Sequence, residues 1–132
     1  MPKAKWGFTL LELIVVIVII AILATLGYPE YRKMKEKGED SGAKSTLKLI
    51  IAAQKIYRME TGEYVNATNN AEINSTFRID LPSTLPYNWE FQTKAYASPK
   101  ACCANTTHVY DYRRRWMFND TLDEPINGTA CP

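Results

Sequence analysis

Few residues in this chain could do chemistry, and the clearest is an acid in an apolar run. From Phe8 to Leu26 every residue is apolar except Thr9, Glu12 and Thr25. A carboxylate near the start of a membrane helix costs on the order of 2–3 kcal/mol. A chain that needed only an anchor would carry leucine there. Glu12 therefore either snorkels to the headgroups or meets a positive partner, in the membrane or in an assembly that leaves it. The next candidates are Cys102, Cys103 and Cys131, the only three cysteines. Adjacent cysteines pair badly with each other because the peptide between them is strained. Cys131 is therefore expected to join one of the two, Cys103 or, as the alternative, Cys102, with the choice left open. Such a bond closes a loop of about thirty residues, stabilises by about 3 kcal/mol, and places the domain in an oxidising compartment. A metal would need His108 beside the three cysteines, and that spacing fits no standard zinc pattern. No metal is expected, and His108 reads as an ordinary strand residue.

Arg113, Arg114 and Arg115, flanked by Tyr110, Tyr112 and Trp116, mix cations with aromatics. They could hold phosphates and stack bases, or stand as solvated arginines that form salt bridges to Asp111 or between subunits. Asp120, Asp123 and Glu124 lie in a late polar stretch and read as solvated charges. Asn-x-Thr recurs at Asn66, Asn74, Asn105, Asn119 and Asn127, either as glycan acceptors or as an Asn/Thr-rich exposed surface. With one histidine, no Ser/His/Asp arrangement and no phosphate loop, no enzyme and no cofactor are expected.

The elements that position these groups follow from periodicity. Nineteen residues of helix, Phe8 to Leu26, span about 28 Å, close to a bilayer core, and a lone strand could not satisfy its backbone there. Gly27 and Pro29 interrupt the run without ending it, and Pro29 bends the axis. Glu30 to Asp40 is a charged neck. From Ala43 the apolar stripe Ala43, Leu47, Ile50, Gln54 and Tyr57 follows helical spacing, with Tyr57 facing a sheet. Gly62 stops the helix, and Tyr64 covers its end. One bent helix from Phe8 to Thr61 is expected, with two helices joined near Gly38–Gly42 as the alternative. Asn66 to Thr76 reads as a loop, and Pro82 and Pro86 as turns. Asn88 to Lys94 alternates as a strand with Trp89, Phe91 and Thr93 on one face. Ala95 to Pro99 is a turn. His108 to Phe118 reads as a second or third strand with His108, Tyr110, Tyr112, Trp116 and Phe118 on one face. Asn119 to Pro132 is a loop.

Gly7-Phe8-Thr9-Leu10-Leu11-Glu12, between a basic leader and an unbroken apolar helix, resembles the N-terminal signature of bacterial type IV pilins and type II secretion pseudopilins. The resemblance covers residues 1–31. It implies cleavage by a membrane peptidase after Gly7 and methylation of the new amine on Phe8. It also implies pairing of Glu12 with the N-terminal amine of a neighbouring subunit, and a helix kink at Pro29. Ala52 to Tyr57, followed by Gly62 and Tyr64, is similar to the end of the pilin helix. The cysteine loop is similar to the C-terminal disulfide loop of many pilins. The late acids could be a trace of the calcium site of major pseudopilins. Arg113–Arg115 could serve as in DNA-uptake pilins.

These readings give an α+β, pilin-like fold, a long N-terminal helix on a small antiparallel sheet. Residues 1–7 are a leader, 8–28 a membrane and filament-core helix, and 29–62 its amphipathic second half. Residues 63–132 are the sheet domain with its cysteine loop. Net charge is +2, and loss of Lys3 and Lys5 with the leader leaves fourteen cations against fourteen acids. A neutral subunit suits packing with its own copies and not general affinity for nucleic acid. The expected function is a pilus subunit, with a pseudopilin or a DNA-binding minor pilin as alternatives. Expected partners are copies of itself in a helical filament, the prepilin peptidase, an inner-membrane assembly platform and the membrane, with DNA as a further alternative. The precursor is placed in the inner membrane with its C-terminal domain outside the cytoplasm, and the assembled form on the cell surface or in the periplasm.

Overall fold

The computed structural model describes residues 7–81, 89–96, 101–128 and 131. The leader before Gly7, the turns expected at Pro82 and Pro86, Asn88, and residues 97–99 of the Ala95–Pro99 turn lie outside these. Helix α1 runs unbroken over Leu10–Thr61, 52 residues, through Pro29. The expected single helix is therefore present, starting two residues later than Phe8. Two units divide the chain, one ending at Gly38 and one beginning at Glu39.

The first unit holds the apolar run. Thr9 caps the helix: its hydroxyl accepts the Glu12 N–H at 3.3 Å, and its carbonyl accepts the Leu13 N–H at 3.2 Å. Beyond the run, Lys33–Glu30 at 2.9 Å and Arg32–Glu36 at 3.7 Å are exposed pairs along one helix. Each contributes only tenths of a kcal/mol.

In the second unit the amphipathic half of α1 buries Ala43, Leu47, Ile50, Ile51 and Gln54, a stripe at helical spacing. Gly62 ends the helix with φ +88°, a conformation glycine adopts without strain. Its N–H reaches the Arg58 carbonyl at 2.8 Å. Tyr57 meets Phe77 edge to face at 5.9 Å. Tyr57, expected to face a sheet, thus has an aromatic contact with a second helix.

That helix, α2 over Asn70–Phe77, replaces the loop expected for Asn66 to Thr76. Asn69 caps it, accepting the Glu72 N–H at 2.9 Å, and Glu72 accepts the Thr68 N–H at 2.6 Å. The arrangement is a variant of the capping box. These bonds with Thr68, backbone first and side chain second, hold the Glu72 carboxyl below the usual carboxylate range. Asn74 then fastens the exit, its amide bonded to both the N–H and the carbonyl of Leu81.

The sheet is antiparallel with order β1-β2-β3-β4, formed by Trp89–Tyr96, Ala101–His108, Arg115–Asn119 and Ile126–Asn127. Trp89, Phe91 and Thr93 are buried as expected, and Ala95, expected in a turn, continues β1. The register pairs Trp89 with His108, Phe91 with Thr106, Thr93 with Ala104 and Ala95 with Cys102. Opposed residues share a face, so Cys102 looks to the core and Cys103 to the other side. The strand expected over His108 to Phe118 is two strands: His108 ends β2, residues 109–114 turn, and β3 begins at Arg115. The late loop also contributes the two residues of β4.

The outer edge of β1 is covered. Its Phe91 and Ala95 N–H groups donate to the side chains of Asn70 and Asn66, each at 2.8 Å. Thr93 exchanges backbone bonds with Ala67 at 2.8 and 3.0 Å. Between helix and sheet, the fully buried Gln54 donates to the Val65 carbonyl and, at 2.8 Å, to the Thr93 hydroxyl, and accepts the Val65 N–H at 3.1 Å.

Candidate functional site

Glu12 lies in the first turn of α1, where an acid complements the helix dipole. It has no ion-pair partner among the described residues. Around and beyond it, the large apolar side chains from Phe8 to Leu26 are exposed on every face of the helix, from 43% at Val16 to 76% at Phe8 and Leu10. α1 is long and apolar enough there to cross a membrane, and none of that window is buried. A helix apolar all round needs lipid or other helices about it. Gly7 and Phe8 precede its first turn.

Cys103 is bonded to Cys131, 28 residues away. The choice left open by the sequence follows from strand alternation, since Cys103 alone of the adjacent pair faces away from the core. Constraint of a loop that long stabilises by about 3.5 kcal/mol in the chain-entropy picture. Cys102 is free and buried. Burial pushes its thiol up to about 11, the charge of Asp120 adds to this, and a hydrogen bond with Tyr64 and the charges of Lys55 and Arg58 oppose it. A thiol so held is a poor nucleophile. In native protein Cys102 is expected to resist a maleimide at pH 8 and to react fully once denatured; rapid native labelling would contradict its burial.

The three arginines differ in setting. Arg114 is half-buried and bonds Glu39 through Nη1 at 3.0 Å and Asp40 through Nε and Nη2 at 2.9 and 2.6 Å. Burial alone would lower its pKa, but the bonds to Asp40 and Glu39 raise it. Arg113 and Arg115 are exposed, as are Tyr110 and Tyr112. Asp111, offered as a partner for the arginines, instead organises the turn, its side chain accepting the Arg113 N–H. Glu39 and Asp40 were missed as partners because they read as part of a charged neck, 74 or 75 residues from Arg114.

Three of the five Asn-x-Thr asparagines hold backbone. Asn66 seals β1, Asn74 holds Leu81, and Asn119 accepts the N–H groups of Thr121 and Leu122 at 3.1 and 3.0 Å. Asn105 lies in β2 and Asn127 in β4. Of the late acids, Glu124 pairs with Lys48 at 2.7 Å. Among the described residues no three His, Cys, Asp or Glu side chains stand together. The disulfide itself removes Cys103 from any three-cysteine set with His108.

The architecture is thus α+β and pilin-like, a long apolar-tipped helix packed with a four-stranded antiparallel sheet. Residues 7–28 match the family described as the prokaryotic N-terminal methylation motif. The chain therefore carries the prepilin signature shared by type IV pilins and pseudopilins. No curated protein and no solved structure matches it.

Proposed function

We propose that this chain is a structural subunit of a type IV pilus. It is cut after Gly7, methylated on Phe8, held in the inner membrane by α1, and then withdrawn into a filament whose core is made of α1 helices. The observation that carries this reading is the coincidence of the methylation motif at residues 7–28 with a helix that has no covered face in that window. Either lipid or neighbouring helices satisfy such a surface, so one segment serves before and after assembly. Glu12 sets the register: an incoming helix is at ease only when its amine meets a neighbour's carboxylate. The peptidase and the assembly platform are its transient partners. The Cys103–Cys131 loop favours a pilin over a pseudopilin.

The test is the N-terminus of protein isolated from a host with its own prepilin peptidase. A chain beginning at methylated Phe8 is expected. An intact Met1 in the presence of active peptidase would leave Glu12 without its amine and overturn the reading.

A further inference from the structure

His108 stands at the end of β2, 6% exposed, and its two ring nitrogens face opposite demands. Nδ1 accepts the Asp111 backbone N–H at 3.0 Å. The neutral ring must therefore carry its proton on Nε2. Nε2 is buried without a hydrogen-bond partner among the described residues and lies 3.8 Å from Glu39 Oε2. That oxygen already accepts from Arg114 at 3.0 Å. The groups facing the ring are the Glu39 carboxylate, with Asp40 beside it, from α1, and Tyr110, Asp111 and Arg114 from the turn. From β1 comes Trp89, whose ring is 5.0 Å away and edge-on. The turn closes through the Arg114 carbonyl, which accepts the His108 N–H at 3.0 Å, and the Asp111 carbonyl, which accepts the Arg114 N–H at 3.0 Å.

A second proton, taken from solvent, can go only to Nδ1. It turns the acceptor of the Asp111 N–H into another donor, so that bond is lost. The imidazolium also draws on Glu39 Oε2, in competition with Arg114. Loss of the Asp111 bond loosens residues 109–114. We propose that the β2–β3 turn is an acid-released latch, in which protonation of His108 at Nδ1 expels the Asp111 amide and frees the segment that presents Tyr110 and Tyr112.

The test is nitrogen-15 NMR of the full chain in detergent micelles from pH 8 to pH 5. At pH 8 the ring is expected as the Nε2–H tautomer. On acidification the Asp111 amide should shift with the same midpoint as the ring and lose about tenfold in exchange protection, as expected for one hydrogen bond. His108→Asn keeps an acceptor near the Nδ1 position and cannot take up a proton, so it should hold Asp111 protected at both ends of the range. Three results would overturn the latch: an Asp111 amide that stays protected while the ring titrates, a ring that does not titrate over this range, or a His108→Asn chain with the wild-type acid response.

Discussion

Filaments are expected to vanish when Glu12 is replaced by alanine, while membrane insertion and cleavage after Gly7 continue. The local role of Glu12 is small, since an acid in the first turn of a helix contributes about 0.3–1 kcal/mol. Its cost in lipid is larger, on the order of 2–3 kcal/mol. An alanine chain should therefore insert more readily than the native one. The loss appears only when copies meet, because the amine of a neighbouring Phe8 would then be buried without its carboxylate. Breaking one side of a buried pair costs about 3–5 kcal/mol, more than a hundredfold in each addition step. Glu12→Gln keeps hydrogen-bonding capacity without charge and should fail almost as fully. Membrane fractionation, N-terminal mass and electron microscopy of sheared surface material separate the steps. Normal filaments from the alanine chain would sink the register role.

The second large effect is expected in folding. Gln54→Leu removes three bonds that join α1 to Val65 and to Thr93 of β1. A buried polar group left without a partner costs about 1–3 kcal/mol. Water can recover part of this at half-buried Val65, and the Thr93 hydroxyl keeps its bond to the Cys103 carbonyl at 3.3 Å, so the expected loss is about 3 kcal/mol. For a domain of this size that lowers Tm by about 15 °C or more. Tryptophan fluorescence of the full chain in detergent follows the transition through Trp89 and Trp116. A loss below about 1 kcal/mol would show that the network is dispensable.

Glu12 and its helix were legible because neither needs tertiary information: an acid is conspicuous in an apolar run, and the stripe from Ala43 to Gln54 repeats at helical spacing. β1 was legible by the alternation of Trp89, Phe91 and Thr93. β2 was not, because Ala101–His108 consists of small and polar residues with no aromatic rhythm. The tyrosines at 110 and 112 carried a false alternation across what is a turn. Trp116 and Phe118 nonetheless share the core face, paired with Thr106 and Ala104. α2 did carry a signal, Asn69 followed three residues later by Glu72, hidden among polar residues that resemble a loop. Gln54 was placed on the right stripe, but its partners Val65 and Thr93 belong to elements whose approach only the fold determines. The same holds for Arg114 with Glu39 and Asp40.

The covered edge of β1 bears on what crowding does to such a chain. Apolar helices that gather copies also raise the local concentration of everything attached to them, and an open strand edge held there would pair with the next copy irreversibly. Asn66, Ala67 and Asn70 close that route on one side of the sheet, and on the other β4 is only two residues long. In the proposed filament, cohesion between copies would then be left to the helices, where contacts can be made and withdrawn one subunit at a time. A fibre built this way can be dismantled into reusable parts.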